Sequence, residues 1–202
     1  MGIFDFFKRN KNGNNKASNE ELSPEQTAFA DAVLSIIKPS VEKFGFKQTT
    51  TKVKTYSTRI VFRKHKQYIE VSNSSYPTDY PYLYWVILGE GNSDDFSESD
   101  WNSVSLFALA QIINPTTSVS SYNFPIGDPK FSETIGKSIT QASKHLLKYG
   151  AGFLNGDLTV FYQARKKVNE GREPYKISIV DENGSRHMTY EPESVKQKKK
   201  YS

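Results

Sequence analysis

Cysteine is absent from the 202 residues of the chain. A disulfide scaffold, a thiolate zinc site and a cysteine nucleophile are therefore excluded. The sequence also lacks any run of about 18 apolar residues, so we expect no membrane-spanning helix. The opening residues lack the pattern of a secretory signal peptide, because Lys8 and Arg9 follow the apolar residues and Asp5 interrupts them. We therefore expect a cytoplasmic protein.

The formal net charge of +5 belongs to the two ends of the chain rather than to its centre. Residues 1–19 carry a net charge of +3 and residues 195–202 carry +4, whereas the remainder has 19 basic and 21 acidic residues. The N-terminal segment is too polar to bury an apolar face. We predict a disordered basic tail over residues 1–19, a single α+β domain over residues 20–194 and a basic tail over residues 195–202.

Two consecutive parts of the central region each carry charges of a single sign, the first only basic residues and the second only acidic residues. Eight basic residues and no acidic one lie between Lys43 and Ile69, and eight acidic residues without Lys or Arg lie between Glu70 and Pro129. One interpretation is that the two blocks are neighbours in the fold and compensate each other across adjacent strands. The other is that a basic face or an acidic loop is offered to a partner.

Capping residues predict where the first helix begins. Ser23 can cap it, Pro24 suits its first position and Gln26 completes a capping box. Apolar residues then recur at helical spacing; Pro39 is expected to kink or restart the helix, and Gly45 to end it.

The following segments predict an antiparallel meander. Residues rich in β-branched and aromatic side chains form four runs, which are Thr49–Tyr56, Thr58–Lys64, Gln67–Ser72 and Pro81–Leu88. Helical spacing predicts helices from Trp101 to Ile113, from Pro129 to Gly150 and from Asp157 to Glu170, followed by a hairpin of Tyr175–Val180 and His187–Tyr190 around an Asn183-Gly184 turn. The predicted fold class is α+β, with a meander of about four strands, helices packed on one face and a C-terminal hairpin.

No pattern of catalytic or metal-binding residues stands out. The three histidines, His65, His145 and His187, share no metal-ligand spacing, and no Gly-x-Ser-x-Gly turn accompanies them. We expect neither a cofactor nor a metal ion. An enzyme whose site is assembled from dispersed residues stays an alternative, because the members of such a site need not be close in sequence.

The first half of the chain resembles a group of small bacterial domains. The motif Ile36-Ile37-Lys38-Pro39 is followed by Phe44-Gly45-Phe46, by basic and aromatic strands and by Ile69-Glu70-Val71-Ser72-Asn73-Ser74. This pattern over residues 24–90 resembles uncharacterised domains in which a leading helix ends in Gly-Phe and feeds a meander. Some of these domains are associated with toxin genes as immunity proteins. The resemblance implies a bacterial protein that binds another protein, and it assigns no role to individual residues.

The leading functional hypothesis is a non-enzymatic protein-binding protein of the immunity or inhibitor type. Acidic and aromatic residues of two loops are the candidate contacts, because aromatic residues dominate interface hot spots. These are Asp94, Asp95, Glu98, Asp100, Tyr122 and Phe124.

Two further hypotheses use the basic residues. Basic strands over residues 47–66 could bind nucleic acid, with Tyr56 and Tyr68 available to stack on bases. The cations of that surface are Lys52, Lys54, Arg59, Arg63, Lys64 and Lys66. A weak membrane-surface contact through the apolar and basic residues 2–9 is the other option.

Overall fold

A computed structural model describes residues 23–74, 84–118, 131–173, 175–181 and 184–190 of the chain. The predicted tails lie outside these residues, as does most of the predicted loop between Thr116 and Asp128. Within the described ranges, no helix has the length and apolar character needed to cross a bilayer.

The first helical segment begins at the predicted capping box and changes its winding before Pro39. The Ser23 hydroxyl accepts the N–H of Gln26, and the Gln26 side chain accepts the N–H of Ser23. The chain then forms α1 (Pro24–Ala32), one stretch of π-helix (Val33–Ile37) and α2 (Lys38–Glu42). Proline cannot donate a hydrogen bond to the preceding turn, and the wider π-helix stands next to it. The expected kink is thus a local change of helix type.

Gly45 ends this segment in the left-handed conformation, at φ +86°. The N–H of Gly45 bonds to the Glu42 carbonyl, and the N–H of Phe46 bonds to the Val41 carbonyl. This pair of bonds is the Schellman motif, which glycine favours because it lacks a β-carbon. The motif turns the chain into the sheet and places Phe46 in the core.

The sheet is an antiparallel meander of five strands in sequential order. Its strands are β1 (Lys47–Lys54), β2 (Ser57–Lys64), β3 (Gln67–Ser74), β4 (Tyr84–Glu90) and β5 (Ser103–Ser105). The α+β class and the meander predicted from the sequence are confirmed. The first three residues of the predicted fourth strand, 81–83, lie outside the described residues.

The fifth strand lies inside a segment predicted as one helix. Residues Phe96–Trp101 form α3, Ser103–Ser105 form β5 and Leu106–Ile113 form α4. Ser105 caps α4 by accepting the N–H of Ala108, which starts a new helix where continuity was predicted. The prediction of a continuous helix from Trp101 was therefore wrong, because Ser103-Val104-Ser105 instead pairs with β4.

The remaining elements follow the predicted order. They are α5 (Phe131–Tyr149), α6 (Ala151–Asn155), α7 (Thr159–Asn169), β6 (Tyr175–Asp181) and β7 (Gly184–Tyr190). The helix predicted from Asp157 and the two strands of the hairpin are confirmed. The predicted cap of α5 at Asp128 and residue Asn183 of the hairpin turn lie outside the described residues.

The helices cover one face of the sheet, here called the inner face. Helix α1 packs on β2 and on α5, while α4 packs on β4, α5 and α7. Alternate residues of the strands point into this layer and are fully or almost fully buried, namely Ile60, Phe62, Ile69, Val71, Val86 and Leu88. The core of the described residues therefore lies between the sheet and the helices.

Candidate functional site

The opposite, outer face of the sheet carries the polar half of the strand alternation. Because the strands pair antiparallel, with one register shift between Gln48 and Thr50 of β1, outer-face residues line up in rows across the sheet. One row consists of Lys52, Arg59, Ser72 and Trp85, the next of Thr50, Val61, Glu70, Ile87 and Ser105, and a third of Lys47, Arg63, Tyr68, Gly89 and Ser103.

The segment that follows β4, here called the crossing loop (residues 91–95), folds back over this face. The guanidinium of Arg63 donates to the Gly91 carbonyl at 2.9 Å and to the Ser93 hydroxyl at 2.7 Å. Arg59 donates to the Ser93 carbonyl at 2.7 Å. Since both arginines stand on β2 and the loop leaves β4, the contacts bridge the outer face of β3.

An ion network fastens the crossing loop to the sheet. Arg59 Nε lies 2.7 Å from Glu70 Oε2, and Arg59 Nη1 lies 2.6 Å from Asp94 Oδ1, which also accepts from Lys52 Nζ at 3.2 Å. Hydrogen bonding from Arg59, with help from Lys52, lowers the pKa of Asp94. Burial acts to lower the pKa of Arg59, but the two carboxylates outweigh it and raise that pKa. Here the basic and acidic blocks of the sequence compensate each other.

A cleft of about 550 Å³ lies between the crossing loop, α3 and the outer face. We call it the outer cleft. Its lining combines three cations, Lys52, Lys54 and Arg59, with three carboxylates, Glu70, Asp94 and Asp100. Tyr68, Ile87 and Ser103 also line it. The lining is thus nearly neutral in total, and it is rich in hydrogen-bonding groups.

Tyr68 is fully buried at this cleft, with its ring against the backbone of Gly89. A β-carbon at position 89 would overlap the ring, so the glycine makes room for it. The phenol oxygen of Tyr68 has no hydrogen-bond partner among the described residues. Burial raises the pKa of Tyr68 to about 12, and the Ser103 side chain opposes this rise without meeting the geometry of a hydrogen bond.

A second buried tyrosine, Tyr84 on the inner face, is satisfied. Its hydroxyl donates to the Ser138 carbonyl at 3.0 Å and accepts from the Ser138 hydroxyl at 3.2 Å. Burial raises the pKa of Tyr84 to about 12 as well. Thr58 Oγ1 and Asn73 Oδ1 also lack partners, but they face each other across β2 and β3 in the inner layer. Tyr68 differs from both because it lines an open cleft.

Trp85 is a large apolar side chain that is exposed on the outer face. It stands on β4, beside Ser72 in the adjacent strand, and 44% of its surface is accessible. The exposure of an apolar side chain here is indicated in the sequence by a continuous apolar run, Tyr84-Trp85-Val86-Ile87-Leu88. Such a run places apolar residues on both faces of one strand.

Two of the predicted partner-binding carboxylates, Asp94 and Asp100, form ion pairs within the fold. Asp94 binds Arg59 and Lys52, whereas Asp100 pairs with Arg172 at 2.5 Å. The Arg172 guanidinium also stacks over the Trp101 ring at 4.0 Å. Both carboxylates line the outer cleft, but neither is an uncompensated charge. Nothing in the sequence pattern connected Arg172 with Asp100, because the two residues are far apart in the chain.

The other predicted contacts are placed only in part. Asp95 is exposed in the crossing loop, and its carbonyl accepts the N–H of Ser99. The Glu98 side chain, Tyr122 and Phe124 lie outside what the structure describes.

The predicted basic surface is divided between several positions. Lys52, Lys54, Arg59 and Arg63 do share the outer face of β1 and β2. Lys64, however, donates to the Leu154 carbonyl at 3.2 Å and lies over the Phe46 ring, while Lys66 is exposed at the turn between β2 and β3. Tyr68 is buried, so it is not available to stack on a base.

The described residues contain no group of three or more His, Asp or Glu side chains able to hold a metal ion. His145 contacts Gln141 at 2.7 Å on α5, and burial, together with Lys148, lowers its pKa. His65 occupies the turn between β2 and β3 at φ +53°. These two histidines stand on separate elements, and neither lines the outer cleft.

Comparison with known proteins found no match to the chain. No family model matches the chain, and neither a curated protein nor a solved structure matches it.

Proposed function

We propose that the chain is a non-enzymatic protein-binding protein whose binding surface is the outer face of the sheet around Trp85 and the outer cleft. The observation that carries this proposal is the exposure of Trp85, at 44%, in a strand of the sheet interior. Tryptophan and arginine are enriched among residues that dominate binding energy, and they work best where a partner removes them from water. Trp85 stands one row from Glu70 and Ile87, so a partner that covers it also reaches the cleft.

The charge balance of the outer face favours a protein over a nucleic acid. Arg59 and Arg63 are engaged by Glu70, by Asp94 and by oxygen atoms of the crossing loop. Binding to phosphates needs cations that are free to replace counterions. Lys52 also pairs with Asp94, so three of the four predicted cations on the outer face are already engaged within the chain.

The finer proposal is an immunity or inhibitor protein in the bacterial cytoplasm. It rests on the resemblance of residues 24–90 and on a chain without cysteine, which fits a reducing compartment. Asp95, Glu98, Tyr122 and Phe124 remain predicted contributors to binding.

The test compares two aromatic truncations in the full-length protein. Trp85→Ala removes the proposed anchor, and Tyr162→Ala is the matched control, because Tyr162 on α7 is 42% exposed. Both baits and the wild type are used to capture proteins from the source lysate, and each captured protein is quantified by mass spectrometry. We expect one protein to be retained by the wild type and the control but lost from Trp85→Ala.

The affinity of that protein is then measured by titration calorimetry. A hot-spot residue contributes about 2 kcal/mol or more, so Trp85→Ala should weaken binding by about 30-fold or more. Equal capture by all three baits would disprove the role of Trp85. An eluate rich in nucleic acid and free of a stoichiometric protein would favour the alternative function on strands 47–66.

A further inference from the structure

Strand β1 is an outer strand of the described sheet, and its backbone offers hydrogen-bonding groups to a further strand. It pairs with β2 and with no other strand that the structure describes. The pair Lys54–Ser57 closes a two-residue turn, and successive residues of an antiparallel strand direct their N–H and C=O groups to opposite sides. Lys54 and Lys52 therefore direct these groups towards β2. Thr51 and Val53 direct theirs to the side on which the described sheet ends.

The stretch from Thr50 to Lys54 has the regular geometry that a second pairing requires. The register of β1 shifts once, between Gln48 and Thr50, and is uninterrupted from there to Lys54. Gln26 Nε2 on α1 donates to the Lys54 carbonyl at 2.7 Å and fixes the end of the stretch. Since a bulge disrupts the ladder locally, an added strand would pair with this stretch and not with the residues before it.

The outer face of the same stretch is positively charged. Lys52 and Lys54 are two residues apart and share this face. Lys54 is exposed and has no carboxylate within ion-pair distance among the described residues, and the same holds for Lys47 beyond the bulge. Lys52 is 54% exposed at its side chain, and its carboxylate partner Asp94 lies closer to Arg59. The edge therefore has more positive charge than the chain itself compensates.

The backbone groups and the charge together match an extended acidic polypeptide. A nucleic acid can neutralise lysines, but it lacks the alternating N–H and C=O groups that continue a sheet. In a strand added beside β1, the residues opposite Lys52 and Lys54 form non-hydrogen-bonded pairs, in which side chains approach most closely. Opposite charges in such cross-strand pairs stabilise a sheet. Carboxylates at alternate positions of the added strand are therefore complementary to the edge.

We propose that the protein partner adds an antiparallel strand to β1, with aspartate or glutamate residues opposite Lys52 and Lys54 and β-branched residues between them. The intervening residues exchange backbone hydrogen bonds with Thr51 and Val53, whose own side chains are half-buried. This inference rests on the proposed function and specifies its partner, because Lys52 and Lys54 also line the outer cleft and Lys52 shares its row with Trp85.

The experiment titrates the 15N-labelled full-length protein with capped peptides. Thr-Glu-Val-Glu-Val-Thr carries the proposed pattern, and Thr-Gln-Val-Gln-Val-Thr lacks only its charges. Two further forms of the glutamyl peptide are N-methylated, one at both valines and the other at both glutamates. Methylation at the valines removes the donors that face β1, whereas methylation at the glutamates removes donors that face away from it. Chemical shifts and hydrogen exchange of the Thr51 and Val53 amides report binding.

Two charge reversals in the protein accompany the peptides. Lys54→Glu places a like charge opposite the glutamyl peptide. Lys66→Glu is the matched control, because Lys66 is also an exposed lysine but stands at the turn between β2 and β3. Melting temperatures measured beside the wild type confirm that both variants are folded.

We expect saturable shifts and slower exchange at both amides with the glutamyl peptide and with its glutamate-methylated form, and none with the valine-methylated form. The affinity should fall by about fivefold for the glutaminyl peptide, because two pairs of opposite charge are lost. Lys54→Glu should weaken binding of the glutamyl peptide by a similar factor, and Lys66→Glu should leave it unchanged.

Four results would each overturn the inference: binding of the valine-methylated peptide, equal affinity for the glutamyl and glutaminyl peptides, equal effects of the two charge reversals, or the absence of saturable shifts at Thr51 and Val53. If oligothymidylate bound where the glutamyl peptide failed, the lysines would belong to the nucleic-acid alternative. The proposed function would survive a failure of the peptides if capture still depended on Trp85. Loss of the Trp85 dependence would instead refute the proposed function, whatever the peptide titrations gave.

Discussion

The two faces of the meander sheet are stabilised in different ways. The inner face packs on the helices through aliphatic and aromatic side chains, and Tyr84 satisfies its hydroxyl there on Ser138. The outer face is covered in part by the crossing loop, which ion pairs and guanidinium hydrogen bonds hold in place. It retains the unpartnered hydroxyl of Tyr68 and the exposed ring of Trp85. The comparison teaches that apolar packing stabilises the inner face, whereas ion pairs and hydrogen bonds to a loop stabilise the outer face.

Truncating one large side chain on each face should give the largest contrast. Phe62→Ala opens a cavity in the inner core, where Phe62 is fully buried, and should lower the free energy of unfolding by about 3–5 kcal/mol. Trp85→Ala should change it by less than about 1 kcal/mol, because water already reaches that ring. Urea unfolding followed by circular dichroism measures both values. Similar losses for the two variants would mean that Trp85 belongs to the stabilising core.

In the ion network of the outer face, Arg59 should be coupled to Glu70 and to Asp94 by unequal free energies. Arg59 and Glu70 are 20% and 14% exposed at their side chains, whereas Asp94 is 47% exposed. Arg59→Ala removes the cation that faces the Glu70 carboxylate, which is largely buried. The free energy of unfolding should fall by about 1–3 kcal/mol. In double-mutant cycles with Glu70→Gln and Asp94→Asn, the Arg59–Glu70 coupling should exceed the Arg59–Asp94 coupling, which should be below about 1 kcal/mol. If the Arg59–Asp94 coupling were the larger one, the ion pair with the crossing loop would be the main stabilising contact of the network.

The two buried tyrosines should respond to loss of their hydroxyls with opposite signs. Tyr84→Phe removes bonds to Ser138 and should lower stability by about 1 kcal/mol. Tyr68→Phe relieves an unpaired buried hydroxyl and should leave stability unchanged or raise it by up to about 1 kcal/mol. Thermal melting of both variants beside the wild type decides the question. Destabilisation by Tyr68→Phe would show that its hydroxyl bonds to part of the protein.

The smallest expected effect is the pH dependence of the crossing loop. Arg59 and Lys52 lower the pKa of Asp94, so the folded carboxyl releases its proton more readily than the unfolded one. Its contribution is present above the unfolded pKa and is lost as the pH falls through the lowered folded value. Asp94→Asn should therefore destabilise the protein slightly at pH 7, and this effect should shrink as the pH falls and vanish once the carboxyl of the folded wild type is protonated. A destabilisation that does not depend on pH would contradict the assignment.

Local signals in the sequence predicted most of the fold. The capping box at Ser23, the glycine at position 45 and the alternation of the four strand runs each act over a few residues, and the structure contains all three. The exception was β5, whose three residues Ser103–Ser105 are too few to interrupt the helical spacing around them. These residues form a strand because they pair with β4. The spacing of apolar residues in the sequence does not reveal such a tertiary contact.

Of the candidate site, only the contact between oppositely charged residues could be predicted from the sequence. The blocks of opposite charge gave one interpretation in which basic strands and an acidic segment are neighbours, and Arg59, Glu70 and Asp94 are in contact accordingly. The unpaired state of the Tyr68 hydroxyl depends on what surrounds it in space, so the sequence could not show it. For the same reason the sequence suggested Tyr68 as a stacking residue, whereas its ring is packed on Gly89.

Strand β1 has a further consequence for the behaviour of the protein in concentrated solution. Among the described strands β1 pairs on one side only, with β2, so it is an edge strand of the described sheet. Lys47, Lys52 and Lys54 are exposed along this edge. If two molecules joined edge to edge at β1, lysines would be brought close to lysines, and their repulsion would oppose fibrous growth of the sheet. Replacing these lysines by apolar residues would remove that repulsion and should favour self-assembly through this edge.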